Sequence, residues 1–238
     1  MTGFDALLEV QHHDTTIDQL RHRKEHLPER AELAAAKAQR VKVQVARDEV
    51  AARRDEVATR QAEAEREIAA SEKRISEVDT RMRSGQVTAS RDLQAMSTEI
   101  DHIKERISAL EDSALEAMDE REPLDAEVAT LDGELGALDA EVDRLTAAIA
   151  AVEAEVDDLV ARERDARTAV ASGLPEELAS TYERLRTRLG GIGAARLDGN
   201  RCTGCHLTLP ATELDRIRHT PAEQLVFCDQ CGRILVRD

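Results

Sequence analysis

Four cysteines have a spacing that indicates a specific chemistry. They form two Cys-x-x-Cys pairs, Cys202 with Cys205 and Cys228 with Cys231, and 22 residues separate the pairs. Each pair on a tight turn points two sulfurs at one ion, and two such turns complete a tetrahedral set of thiolates. The spacing therefore predicts one zinc ion held by all four sulfurs. Because no position remains for a bound water, the predicted metal is structural rather than catalytic.

Two other interpretations of the cysteines are a redox dithiol and a pair of disulfides. The sequence has no thioredoxin-like βαβ pattern, and the N-terminus lacks the features of a signal peptide, so we expect a cytoplasmic protein with reduced thiols. The C-terminal module of about 45 residues that carries the cysteines also has too small a hydrophobic core to fold without a cross-link. A bound metal ion supplies that cross-link. His206, directly after Cys205, is interpreted as a solvated histidine rather than a fifth ligand.

Other catalytic arrangements are missing from the sequence. It contains no GxxxxGK[ST], GxGxxG, GxSxG or HExxH motif. His22 and His26 stand four residues apart with Asp18 one turn earlier, but they lie on a charged helix and are interpreted as solvated. Acidic residues on helix faces form no pocket for acid–base chemistry. The sequence predicts a protein that is not an enzyme and takes no small-molecule substrate.

The composition indicates long helices rather than a globular core. Of 238 residues, 34% are charged, and the aromatic ones are Phe4, Tyr182 and Phe227. No apolar stretch is long enough to span a membrane. The net charge of −16 lies on one segment: residues 92–171 carry 23 acidic and 7 basic residues, whereas residues 1–91 carry 17 of each. Such an acidic rod disfavours wrapping by nucleic acid.

A heptad pattern predicts a coiled coil. From Leu93 to Leu159, apolar residues recur three and four apart, with Arg121 as the interruption. We expect a continuous helix from about 92 to 171 that bends at Pro123 without breaking. The earlier arm repeats apolar residues at sevens in the row Val43, Val50, Val57, Ala64 and Val78.

Punctuating residues divide the chain. Leu27-Pro28 separates a first helix, about 4–26, from a second, about 29–82. In the tip, residues 83–91, Gly85 suits a left-handed helix end and Ser90 an N-cap. If the two long helices fold back on each other at residue 87, position i of the first helix faces about position 174 − i of the second. The basic segment 37–60 then lies opposite the acidic segment 114–137. The alternative is a dimeric rod without a hairpin.

Three segments follow from these signals. Residues 1–172 form a coiled-coil helical hairpin, 173–194 a connecting helix with a glycine-rich segment, and 195–238 a zinc ribbon with short β-strands. The overall class is mainly α. Gly190, Gly191 and Gly193 are either a hinge or close-packing point, or a floppy linker.

The chain resembles the bacterial C4-type zinc-ribbon family with an N-terminal coiled-coil hairpin. The resemblance depends on the tip Ser84–Thr88, the run Arg91–Met96, Tyr182–Arg186, the four cysteines with Leu209-Pro210, and Gly232–Leu235. It implies a zinc ribbon packed at the open end of a long kinked hairpin. Relatives include a flagellar regulator that binds an alternative sigma factor and a flagellin messenger RNA through basic residues near the ribbon.

We therefore expect a zinc-ribbon adaptor that binds a protein partner, with RNA or DNA as a further partner. Nine basic residues of the C-terminal module are balanced by nine acidic ones, and aromatic residues that could stack on bases are few. Alternatives are a hairpin that acts on RNA polymerase, although the tip has no carboxylate to position magnesium, and a purely structural spacer. The predicted partner-binding residues are Tyr182, Arg184, Arg186, Arg188, Arg201 and Arg233.

Overall fold

The computed structural model describes residues 3–237, which contain five helices and three short strands. No helix in this range combines the length and apolarity needed to cross a bilayer. In chain order the elements are α1 (Gly3–Glu25), α2 (Pro28–Arg83), α3 (Ser90–Ala171), α4 (Glu176–Arg188), β1 (Ala194–Asp198), β2 (Arg201–Cys202), α5 (Ala211–His219) and β3 (Ile234–Val236).

The helix boundaries agree closely with the predicted ones. Pro28 is the first residue of α2, where its missing N–H leaves no helical hydrogen bond unmade. Gly85 has a φ of +70°, as a left-handed helix end requires. The N-cap prediction is corrected by one residue, because the carbonyl of Ala89 accepts the first helical bond, from Leu93 at 3.2 Å. Helix α3 continues across Pro123 without a break.

Packing divides the molecule into two compact units. One, the hairpin unit, is Glu32–Arg144 and contains most of α2 and the first part of α3. The other, the ribbon unit, contains α1, α2 as far as Ala31, and everything from Leu145 onward. This grouping differs from the predicted segments 1–172, 173–194 and 195–238, because α1 and the end of α3 share a core with the C-terminal elements.

The hairpin unit is an antiparallel pair of helices with a narrow apolar seam. The apolar residues predicted to recur every seven positions on α2 are buried. The buried residues of α3 in this unit are also small or branched, namely Ala114, Ala117, Val128 and Leu135. One cluster shows the packing: Val50 and Ala51 of α2 contact Val128 of α3, with Leu124 and Leu131 beside them. The prediction of a hairpin is confirmed over the alternative of a rod without one.

Charge pairing follows the predicted pattern with a displacement. Arg40, Arg47 and Arg54, seven residues apart on α2, pair with Asp139, Asp132 and Asp125 of α3. Each partner lies five residues beyond the position directly opposite in the predicted register. Nearer the tip, Arg74 pairs with Glu99, one residue from the predicted position. These pairs are exposed to solvent, so each contributes little to stability.

The ribbon unit has a core built from distant segments. Leu7 and Val10 of α1 pack against Leu178 and Leu185 of α4 and against Ile234 of β3. Farther along α1, Ile17 packs against Val156 and Val160 of α3.

The three strands form one sheet in the order β2-β1-β3. Strands β1 and β2 are antiparallel, with Leu197 opposite Cys202. Strands β1 and β3 are parallel, with Ala194 opposite Ile234. The segment between the cysteine pairs, which the sequence analysis predicted as part of a ribbon with short β-strands, also contains α5, and Ile217 of α5 is buried in the core around Cys202 and Cys228.

Candidate metal centre

The four sulfurs converge on one point. Their Sγ atoms all lie within 4.8 Å of one another, with 4.0 Å between Cys202 and Cys231 and 3.9 Å between Cys205 and Cys228. A zinc ion with Zn–S bonds of about 2.3 Å sets tetrahedral sulfurs about 3.8 Å apart. The donor set and its spacing therefore fit one zinc ion, and the prediction of a four-cysteine zinc ribbon is confirmed.

Two equivalent backbone turns present these sulfurs. In the first knuckle, the Cys202 N–H donates to the carbonyl of Leu207 at 3.1 Å, and the Cys202 carbonyl accepts from the N–H of His206 at 2.8 Å. The second knuckle repeats both bonds around Cys228, with Gly232 in the place of His206. His206 and Gly232 share a left-handed backbone, with φ of 62° and 71°. His206 is exposed and lies outside the group of four, in agreement with its interpretation as a solvated residue.

The protein alone does not ionise all four thiols. Burial raises the pKa of Cys228 to about 12 and also raises the pKa of Cys202. Burial acts in the same direction on Cys231, but hydrogen bonds from the backbone and side chain of Arg233 outweigh it and lower its pKa to about 7. A divalent cation bound by the sulfurs stabilises the thiolate form of each.

Two arginines lie beside the knuckles. Arg233 donates from Nε to the carbonyl of Ile192 at 3.0 Å, and a Cβ added to Gly204 would lie 2.6 Å from its Cδ. Arg188 extends toward the second knuckle, where a Cβ on Gly232 would lie 3.8 Å from its Nη2. Four thiolates around one zinc ion carry two excess negative charges, which these guanidinium groups offset.

Helix α5 is fixed to the second knuckle by a buried acid. The side chain of Glu213, buried on α5, accepts a hydrogen bond from the N–H of Asp229 at 3.1 Å. At the other end of α5, Arg237 donates to the carbonyls of Ile217 and Thr220 at 2.6 and 2.8 Å. The sequence analysis did not single out Glu213. Its signal is local, since it stands three residues after Pro210 in the first turn of an amphipathic helix.

The glycine-rich segment is a close-packed turn held by α1. The Gln11 carbonyl oxygen accepts the N–H groups of Gly193 and Ala194 at 2.7 and 3.2 Å, and its amide donates to the Gly191 carbonyl at 3.0 Å. A Cβ on Gly193 would lie 2.9 Å from both Cδ2 and the carbonyl oxygen of Tyr182. Of the two interpretations of this segment, the structure therefore supports close packing over a floppy linker.

Tyr182 is corrected from a partner contact to a core residue. It is 1% exposed, and its hydroxyl donates to Asp14 at 2.8 Å; burial and the Asp14 carboxylate raise its pKa. Asp14, 3% exposed, also accepts from Arg167 at 3.1 Å. Arg186 lies 3.4 Å from Asp14 and donates to Asp18 at 2.9 Å. This group, the Asp14 cluster, joins α1, α3 and α4.

Three of the six predicted partner residues lie on the surface, namely Arg184, Arg188 and Arg201. Arg184 and Arg188 make no hydrogen bond or ion pair with any residue between 3 and 237. Arg201 donates to the carbonyl of His206 at 2.9 Å. The guanidinium groups of Arg186 and Arg233 are half-buried and already bonded inside the ribbon unit.

Comparison with known proteins identifies two domain types. The description "CT398-like coiled coil hairpin domain" matches residues 10–190, and "C4-type zinc ribbon domain" matches residues 201–235. The chain belongs to the CT398-like coiled-coil hairpin family. Neither domain type is an enzymatic one.

Relatives of this family share the whole fold. An uncharacterized protein of Mycobacterium tuberculosis is 32% identical over 232 residues, which cover 98% of this chain and 94% of that protein. A solved structure from Mycobacterium smegmatis has a TM-score of 0.85 and 26% identity, and covers 100% of this chain and 98% of its own. The structure of CT398 from Chlamydia trachomatis, at 20% identity and a TM-score of 0.61, covers 99% and 98% and shows the fold alone.

Proposed function

We propose that this protein is a non-enzymatic adaptor that binds another protein through its zinc ribbon. The observation that carries the proposal is the exposure of two large apolar side chains beside the metal centre. Leu207 is 52% exposed and Phe227 is 39% exposed, although the small ribbon core would gain from burying both. Exposed aromatic and aliphatic residues on a rigid support are typical anchors of a protein interface.

The metal centre fixes where these anchors lie. Phe227 directly precedes Cys228 and forms a β-bridge with Ile234, while the carbonyl of Leu207 closes the first knuckle. Metal binding therefore orders the backbone on which both side chains stand. This preorganisation lowers the entropy cost of binding a partner.

Surface charge near the anchors supports a protein partner over RNA. Arg184 and Arg188 share one exposed face of α4, and Arg201 is exposed on β2, where it donates to the carbonyl of His206, the residue before Leu207. RNA recognition also uses several aromatic side chains that stack on bases, and since Tyr182 is enclosed in the core, Phe227 is the one exposed aromatic residue of the ribbon among the described residues. Arginines beside apolar anchors instead match a protein partner with an acidic rim.

Photo-crosslinking in the native cells tests this proposal. A photoreactive amino acid is placed at Leu207 or Phe227 of the full chain, with Glu105, 80% exposed on α3, as the matched control position. We expect both ribbon positions to capture the same protein and the control position not to capture it. Reversing Arg184 and Arg188 to Glu should then reduce that adduct several-fold.

Equal capture from all three positions would contradict the proposal. Adducts that contain RNA instead of protein at the ribbon positions would replace it with the nucleic-acid alternative. Zinc content, measured on each purified variant, confirms that the ribbon is intact.

A further inference from the structure

Helix α2 carries a second apolar stripe outside its seam. Ala34, Ala38, Val41 and Val45 repeat at intervals of four, three and four residues, and all are exposed. Val41 is 60% exposed, whereas Val43, two residues on, is buried against α3. Two residues correspond to about 200° around a helix, so this stripe, the α2 stripe, lies on the face opposite the seam.

Helix α3 carries a matching stripe. Leu115 is 59% exposed and Met118 nearly as much. They stand between the exposed acids Glu111 and Glu122, again at intervals of four, three and four residues. We call this group the α3 stripe. Solvent-facing positions of a coiled coil are normally polar, so two such stripes in one unit require an explanation.

The charges beside the two stripes are opposite in sign. Lys37 and Lys42 flank the α2 stripe, whereas Asp112, Glu116 and Asp119 flank the α3 stripe. None of these five side chains has a hydrogen bond or ion pair with any residue from 3 to 237. They contrast with the neighbouring arginines, which are paired across the hairpin.

The two stripes do not face each other within one chain. Arg40 lies in the stretch of α2 that carries the α2 stripe, and it pairs with Asp139. Glu120 lies in the stretch of α3 that carries the α3 stripe, and it pairs with Arg60. The α3 stripe therefore lies alongside α2 about 20 residues, or roughly 30 Å, from the α2 stripe.

We propose that the α2 stripe of one copy of this chain binds the α3 stripe of a second copy. With the two helices parallel and a constant offset of 74 residues, three contacts coincide: Lys37 with Glu111, Val41 with Leu115, and Lys42 with Glu116. Val45 then lies beside Met118. Lys37 and Lys42, which pair with no residue from 3 to 237, each meet a carboxylate that also pairs with none in that range.

The second copy lies antiparallel to the first in this contact, because α2 and α3 are antiparallel within one chain. The contact is heterologous, since it joins different faces of two copies, and each copy keeps one stripe free for a further copy. All of the contacting residues belong to the hairpin unit.

Sedimentation equilibrium of the zinc-loaded full chain tests the proposal. Over loading concentrations from about 1 to 200 μM, we expect reversible self-association that weakens as salt is raised. Lys37→Glu with Lys42→Glu should raise the dissociation constant by about tenfold or more, as should Glu111→Lys with Glu116→Lys. Lys73→Glu, an exposed reversal on α2 outside the stripe, is the matched control and should leave it unchanged.

The decisive variant combines all four reversals in one chain. It exchanges the signs of the charges beside the two stripes, so it should restore self-association to within a few-fold of the original chain. A chain that stays monomeric up to the highest concentration, or self-association that the double reversals do not weaken, overturns the proposal. Circular dichroism of each variant separates loss of association from loss of folding, and Leu115→Ser provides an uncharged second disruption.

Discussion

Different kinds of interaction stabilise the hairpin unit and the ribbon unit internally. In the hairpin unit, a two-helix seam repeats every seven residues, and its ion pairs are exposed and similar to one another. In the ribbon unit, single side chains satisfy several groups at once: Gln11 bonds three backbone groups, and Asp14 accepts from Tyr182 and Arg167. Small independent contributions therefore stabilise the first unit, and a few indispensable ones stabilise the second.

The largest expected effect is removal of a zinc ligand. Cys228→Ser leaves three sulfurs and removes most of a metal-binding free energy of about 10 kcal/mol or more. We expect amide protons of residues 194–237 to lose protection from exchange, while those of residues 32–144 keep it. Hydrogen-exchange mass spectrometry with zinc analysis measures both.

His206→Ala is the matched control for the cysteine change. It should keep one zinc ion per chain, because His206 contributes its backbone and not its ring to the knuckle. A Cys228→Ser chain with full zinc and full protection would refute the assignment of the metal centre.

The second effect concerns the buried carboxylate. Asp14→Asn removes the charge that Arg167 and Arg186 share, and should destabilise the ribbon unit by about 2–3 kcal/mol. Asp139→Asn, an exposed member of the hairpin pairs, should change stability by less than about 1 kcal/mol. Denaturant titration compares the two variants, and equal losses would remove the contrast between the units.

The third comparison uses one substitution at two glycines. Gly193→Ala places a Cβ against Tyr182 and should cost about 1–3 kcal/mol. Gly136→Ala lies within α3 with open space around it, and should stabilise that helix by up to about 1 kcal/mol. Melting curves of both variants should therefore shift in opposite directions, and shifts of the same sign would contradict the packing described.

The smallest effect is loss of one exposed ion pair. Arg47→Gln removes the 2.9 Å bond to Asp132 and should reduce stability only slightly. The reduction should shrink in about 1 M salt, because screening already weakens the exposed pair. Unfolding measured at low and high salt checks both statements, and a loss that salt does not alter would point to packing of the arginine stem instead.

Structural features that depend on residues close together in the sequence could be predicted from it. The heptad rows, Pro28 and Gly85 set the helix ends to within a residue or two, and the two Cys-x-x-Cys pairs predicted the metal centre. In the middle of the hairpin the ion pairs were displaced by five residues from the predicted register, although near the tip the displacement was one residue, because charge patterns alone tolerate a shift of about one turn.

Features that depend on distant contacts could not be predicted. Gln11 and Asp14 lie in a helix with no periodic signal for their role, and their partners are 153 to 183 residues away. Tyr182 looked like a surface residue for the same reason, since only the fold brings α1 against α4. The amphipathic pattern of α5 was present in the sequence, but the segment was too short to separate from a loop.

The wide sequence separation between α1 and its partners has a consequence for synthesis on the ribosome. At about 5–20 residues per second, the 168 residues between Asp14 and Tyr182 take roughly 10–30 s to emerge. During that interval Leu7 and Val10 have no surface to cover them, and β3, the last strand, arrives later still. The docking of the N-terminal helix therefore completes only when the chain is almost finished.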